Sequence, residues 1–169
     1  LRAELDRRTN APAEVEGLRR QAREALDAGD LPAAAARLTE ARALLRAARE
    51  RMVEEEATVL GEEAGIALLR GDYATAVAQR QEAARLVAHD PALAWAQRLA
   101  EAGALQQWGE TRGDPVHLRQ AVAAYETTLA LAPRTEHPAE WAITQNNLGN
   151  AFRTLGERGD DHALRRAIQ

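Results

Sequence analysis

The chain has 169 residues, of which 46% are apolar and only 4% aromatic, and its net charge at pH 7 is -4. It contains no Cys, Ser or Lys, and all 22 basic residues are Arg, which excludes disulfides, thiolate metal sites, Ser or Cys acyl transfer and Schiff-base chemistry. The acidic balance argues against nucleic acid as a partner, and no apolar run is long enough to span a membrane. We therefore expect a soluble, cytoplasmic, non-catalytic protein without a cofactor.

The predicted elements are helices joined by short turns. Apolar residues at helical spacing predict four successive pairs, at about 13–28 with 31 onward, 60–68 with 73–86, 92–112 with 116–132, and 138–158 with 161–169. No segment shows the alternating pattern of a strand. The sequence therefore predicts an all-α fold of antiparallel helical hairpins.

A repeated dipeptide divides these pairs. Gly-Asp occurs at positions 29, 71, 113 and 159, which are 42, 42 and 46 residues apart. A shift of 46 residues also superposes Trp95-Ala96 on Trp141-Ala142 and Arg112 on Arg158. Internal repetition at this period indicates a solenoid, whose extended surface usually holds another protein.

Small residues recur where the two helices of each hairpin should meet. They form three sets, namely Ala22, Ala64, Gly103 and Gly149, then Ala34, Ala76, Ala121 and Ala167, then Ala41 and Ala83, where Thr128 departs from the pattern. With Tyr125, Phe152 and the closing Pro133, this spacing resembles the tetratricopeptide repeat, in its long-period bacterial and kinesin-light-chain-like variety. The resemblance implies a right-handed α-solenoid forming a single repeat domain over 1–169. Its weaker repeats cover about 15–48 and 57–90, and its stronger ones about 92–133 and 138–169, the last truncated. A chain that begins without Met and stops within a repeat is expected to be part of a larger protein.

The resemblance also implies a binding surface, because the first helix of each tetratricopeptide repeat lines a concave groove. The matching polar residues are Asn146, Asn150 and Arg153, with Asn147, Gln107, Arg19 and Arg23, and the same face includes Gly61, Gly65, Ala100 and Ala104. An Asn amide offers a donor and an acceptor to a peptide backbone. The alternatives are that the amides cap or cross-link helices and that the arginines belong to a solvated face. No metal site is expected, since His89, His117, His137 and His162 share no repeat position.

One stretch departs from the hairpin pattern. Between Pro32 and Gly61 there is no Gly, Pro, Asn or Asp, and an apolar residue recurs every seven positions, at Leu31, Leu38, Leu45, Met52, Val59 and Ile66. This favours one continuous helix, at least to Glu56 and possible over 31–70, whereas the repeat template requires a turn near 47–54. The stripe could serve internal packing or a homodimer. The alternative function is therefore self-association, or intramolecular regulation within a multidomain signalling protein.

Two packing predictions follow from the repeats. Trp95 and Trp141 occupy equivalent positions, which favours packing between repeats over contact with a ligand. Gly149 and Ala121 are expected where helices approach most closely, because two helices can come within 8–10 Å only where side chains are small.

Overall fold

The structure, a computed structural model, describes residues 11–160 together with Ala163 and Arg166. Within 11–160 the chain forms only helices, which are α1 (Ala11–Asp27), α2 (Leu31–Leu69), α3 (Tyr73–Leu86), α4 (Pro91–Arg112), α5 (Pro115–Leu129) and α6 (Pro138–Glu157). The all-α prediction is therefore confirmed. The predictions for Ala167, His162 and the rest of the helix after Asp160 lie outside the described residues. The chain divides into two compact units, Leu1–Val53 and Glu54–Gln169, with the boundary inside α2.

The four Gly-Asp dipeptides form one turn, built four times. Each glycine has a positive φ, between 67° and 93°, a conformation that costs a side-chain-bearing residue about 1 kcal/mol or more. The amide of each following Asp returns to the carbonyl five residues back, at 2.8 to 3.2 Å, as in a Schellman helix end. The same Asp then caps the next helix with its carboxylate, as Asp114 does for the amide of Val116 at 2.8 Å. One dipeptide thus ends one helix and starts the next.

The helix α2 is continuous over 39 residues. This confirms the helix predicted from the apolar residues that recur every seven positions. It also shows that the turn required by the repeat template near 47–54 is absent. The physical reason is local, because the chain has no Gly, Pro, Asn or Asp between Pro32 and Gly61 that would end a helix near 47–54. In the first unit, the buried side chains include Val15 and Ala22 on α1 and Ala34 and Ala41 on α2.

In the second unit, consecutive helices pack as antiparallel neighbours. The hydroxyl of Tyr73 at the start of α3 donates to Thr111 at the end of α4, at 3.1 Å. The hydroxyl of Tyr125 late in α5 donates to Gln106 of α4, at 3.1 Å. The helices α5 and α6 also pack directly, and α4 contacts α6. Consecutive helices therefore form antiparallel hairpins, and α4 and α6, which are not consecutive, are also in contact.

The core of this unit is built largely from alanine at the predicted positions. Ala64, Ala76, Ala83 and Ala121 are fully buried, and Thr128 is equally buried where the pattern departs from alanine. Thr128 tolerates this burial because its hydroxyl donates to the carbonyl of Ala124 at 2.7 Å. Larger side chains, among them Leu118 and Tyr125, fill the space between α4, α5 and α6.

The helix α4 is in close contact with the start of α5 at Gly109. A Cβ there would lie 2.6 Å from Cγ and 2.8 Å from the backbone nitrogen of Leu118, and 3.0 Å from the carbonyl oxygen of Asp114. Gly109 was not among the residues predicted to lie at a close approach of helices. Gly149 was, and because a Cβ there would meet no described atom within 4 Å, a close contact at Gly149 stays a prediction.

Gly109→Ala should therefore destabilise the protein by about 1 to 3 kcal/mol, because backbone atoms would have to move to admit the methyl group. Gly65→Ala is the matched control, since Gly65 is also in a helix and its Cβ would meet no described atom within 4 Å. That control should gain up to about 1 kcal/mol from helix propensity. Urea unfolding of both variants checks the contact, and a Gly109→Ala variant as stable as the parent would contradict it.

Candidate peptide-binding face

The helices α4 and α6 run parallel and side by side. The indole N–H of Trp95 donates to the hydroxyl of Thr144 at 3.0 Å, which confirms the packing predicted for this tryptophan. At the other end, the guanidinium of Arg158 donates to the carbonyls of Gly109 and Glu110, at 3.1 and 2.9 Å, and so satisfies the last turn of α4. The paired residues are 48 or 49 positions apart. Equivalent faces of the two helices are therefore neighbours.

The polar residues predicted for α6 lie on one exposed face of that helix. Asn146, Asn150 and Arg153 follow the i, i+4, i+7 spacing that places side chains on the same side, and all three are exposed. Gln107, which is equivalent to Arg153 after the 46-residue shift, is exposed on α4. We call Asn146, Asn150, Arg153 and Gln107 the amide face.

The side chains of Asn146, Asn150 and Gln107 make no hydrogen bond to any residue in the described ranges. The guanidinium of Arg153 pairs with Glu157 at 2.5 Å, and both side chains are more than half exposed. The local charge is therefore close to balanced, and the hydrogen-bonding capacity is that of neutral amides.

The other predicted binding residues are placed differently. Asn147 is half-buried and its amide has no partner among the described residues. Arg19 and Arg23 are exposed on α1 in the first unit, where Arg19 pairs with Glu16 at 2.7 Å. Their part in binding stays a prediction.

The assignment of Gly61 to the binding surface is wrong. Gly61 is buried, and the guanidinium of Arg80 lies where its Cβ would project, with the Gln97 side chain beside it. Arg80 in turn donates to Gln97 at 3.0 Å, and its partial burial lowers the pKa of the guanidinium. Ala104 is also buried, whereas Gly65 and Ala100 are half-buried.

A chain of polar contacts supports α4 from behind the amide face. Tyr125 donates to Gln106 at 3.1 Å, and Gln106 donates to Glu110 at 2.8 Å. Thr154 of α6 reaches Glu110 at 3.4 Å. These contacts join α4, α5 and α6, and so they determine which side of α4 faces away from the core. Sequence reasoning missed them because no motif marks a pairing between distant helices.

A second polar cluster lies between α3 and α4. Glu101 is only 5% exposed, and it accepts hydrogen bonds from Gln81 and Arg98, both at 2.8 Å. A buried carboxylate without such partners would be costly. These two donors satisfy the Glu101 carboxylate and hold α3 against α4.

The remaining candidate cluster is aromatic. Trp108 stacks on Tyr73 and on His117, with ring centroids 6.2 and 3.7 Å apart, and His117 bonds to Asp114 at 2.6 Å. The backbone hydrogen bond from Val116, and secondly the contact with His117, lower the pKa of the Asp114 carboxyl. Among the described residues, no three His, Asp or Glu side chains are close enough together to hold a metal ion.

Comparisons with family models, with curated proteins and with solved structures found no match. In the part of the chain that the structure describes, no helix combines the length and apolar character needed to cross a bilayer.

Because the hydroxyl of Tyr125 is part of the polar contacts that join α4, α5 and α6, the free energy of unfolding is expected to fall at alkaline pH. Burial, and secondly the charge of Glu110, raises the pKa of Tyr125 to about 12, compared with about 10 in an unfolded chain. The raised value stabilises the native state below pH 10, and this stabilisation is lost as the pH rises from 10 through 12. Unfolding free energies measured across this range should fall less steeply in Tyr125→Phe than in the parent. Equal slopes would contradict the burial of this hydroxyl.

Proposed function

We propose that the chain is a tetratricopeptide-like α-solenoid whose amide face binds an extended segment of another protein. The observation that carries this proposal is the pair of exposed amides of Asn146 and Asn150 on one side of α6, neither of which has a hydrogen-bond partner among the described residues. The resemblance of the repeats supports it, and so does the parallel packing of α4 beside α6, which brings equivalent faces together.

The spacing of the two amides suits a peptide backbone. Residues four apart on a helix are separated by about 6 Å along its axis, and alternate residues of an extended peptide are separated by about 6.6 Å. Each Asn can therefore bond to one of two successive backbone groups on the same edge of the peptide. Because Arg153 is paired with Glu157, we expect recognition of the backbone more than of a charged tail.

The proposal includes no catalysis and no cofactor. Binding by amides requires neither a nucleophile nor a metal, and the Asp carboxylates at the helix junctions act as caps. Neither nucleic acid nor a membrane is a proposed partner, since the net charge is -4. A chain without Cys suits a reducing compartment, and we propose the bacterial cytoplasm.

The test uses a displayed library of random 12-residue peptides, from which binders of the parent chain are selected. Losing two neutral hydrogen bonds should cost about 1 to 3 kcal/mol, so Asn146→Ala with Asn150→Ala should weaken binding of a selected peptide by roughly 5- to 150-fold. The dissociation constant is measured by calorimetry, and circular dichroism verifies that the helices remain. Gln120→Ala removes an exposed amide on α5 and should bind as the parent does. Equal affinity of the double variant and the parent would overturn the proposal.

A second candidate function is self-association, as a homodimer, and a different observation favours it. Seven of the eleven exposed large hydrophobic residues in the described chain lie on α2. Six of them form the stripe in which an apolar residue recurs every seven positions, and their exposures are 49% to 71%. Apolar surface concentrated in this way usually marks an interaction site, so we propose that α2 also binds a second copy of the chain.

Light scattering tests this second proposal. The parent should form a dimer at micromolar concentration, whereas Leu45→Glu or Met52→Glu should shift it toward monomer by at least about tenfold in dissociation constant, since burying an unpaired carboxylate is costly. Val116→Glu, at an exposed apolar residue of α5, is the matched control and should remain dimeric. A parent chain that stays monomeric at high micromolar concentration would remove self-association.

A further inference from the structure

The positions beside the apolar stripe carry an ordered pattern of charge. Four residues after each stripe position lie Ala35, Arg42, Arg49, Glu56, Glu63 and, just past the end of α2, Arg70, and all six are exposed. Residues at this spacing lie next to the stripe on the same side of a helix. The central four residues of this row are positive before the middle of α2 and negative after it. The row therefore has one positive half and one negative half.

We infer that two copies of α2 pair antiparallel, with a twofold axis at Met52. This inference rests on the second proposed function, self-association through the stripe. With Met52 opposite its own copy, Leu45 lies opposite Val59. Leu38 then lies opposite Ile66, so large apolar residues face each other along the stripe.

The same register matches the charges. In an antiparallel symmetric pair, the row beside the stripe meets the same row of the partner, running in the opposite direction. Arg49 then lies near the partner's Glu56, and Arg42 lies near the partner's Glu63, each within one residue of the register set by Met52. Twofold symmetry repeats both pairs, so four opposite-charge contacts flank the stripe.

The parallel arrangement lacks this match. In a parallel, in-register pair, this row lies beside the other flank of the partner's stripe, at Arg37, Leu44, Arg51 and Thr58. Arg42 then meets the like charge of Arg37, Arg49 meets Leu44 and Glu63 meets Thr58, so Arg51 with Glu56 is the one opposite-charge contact on each side of the stripe. The groups are also available for the antiparallel contacts. Within the described chain, Arg42, Arg49 and Glu56 have no ion pair, and Glu63 accepts one hydrogen bond, from Gln79.

The pattern also favours a second copy over an unrelated partner. A row that carries both signs in mirror order is complementary to itself, and a symmetric interface closes at two subunits. An unrelated acidic or basic helix would meet one half of the row favourably and the other half unfavourably.

Cysteine cross-linking tests the orientation, because the chain has no Cys and each variant then carries a single thiol. Under mild oxidation, Met52→Cys should form a disulfide-linked dimer, since both thiols lie at the twofold axis. Leu38→Cys should not link to itself but should link to Ile66→Cys when the two are mixed. Val116→Cys, on α5, is the control for random collision.

The outcomes separate this inference from the proposal beneath it. Leu38→Cys and Ile66→Cys each linking to themselves as readily as Met52→Cys would show a parallel pair, which overturns the antiparallel inference and leaves self-association standing. A parent chain that is monomeric by light scattering, together with cross-linking no faster than in the Val116→Cys control, would overturn both.

Charge reversal gives a readout that needs no thiol. The variant Arg42→Glu with Arg49→Glu, and the variant Glu56→Arg with Glu63→Arg, should each dimerise at least tenfold more weakly than the parent. An equimolar mixture should recover a heterodimer, because one row is then entirely acidic and the other basic. If each variant alone dimerises as the parent does, the charge pairing is wrong.

Discussion

The structure depends most on the Gly-Asp turn. Its glycine adopts the left-handed conformation, which lets the following amide return to the helix that is ending, at 2.9 Å from Asp114 to Gly109. The aspartate then supplies the acceptor for the first turn of the next helix. Both helix ends are thereby satisfied within two residues, so the chain reverses direction with no long loop. These turns fix where α1, α2, α4 and α6 end and where α2, α3 and α5 begin.

Packing between the alternate helices α4 and α6 then creates a shared exposed surface. A turn alone gives a hairpin, whereas Trp95, Thr154 and Arg158 connect α4 to α6. Buried alanines allow the backbones to approach, since large side chains would hold the helices apart. The exposed faces of α4 and α6 then lie beside each other in the register of the repeat. Asn146 and Asn150 share a direction because they are four residues apart on α6.

Much of the fold could be predicted from the sequence, because its causes are local. Gly71, Asp72 and their equivalents mark the helix ends, and buried alanines recur at the predicted spacing. The continuity of α2 through 47–54 follows from the absence of Gly, Pro, Asn and Asp between Pro32 and Gly61. Contacts between distant side chains could not be predicted. The burial of Gly61 under Arg80 and the pairing of Gln81 with Glu101 depend on how helices rotate against one another, and no sequence spacing encodes that angle. The binding role of Asn146 and Asn150 was predicted and is proposed here.

The central claim is that the amides of α6 hold a peptide backbone, and heteronuclear NMR observes those groups directly. Each Asn and Gln side chain gives its own pair of amide signals, so contact can be assigned residue by residue in a chain of 18.4 kDa. On addition of a selected peptide, the side-chain signals of Asn146 and Asn150 should shift strongly, while those of Gln120 on α5 stay in place. Shifts confined to α2 or α5, with the Asn146 and Asn150 signals unchanged, would contradict the account.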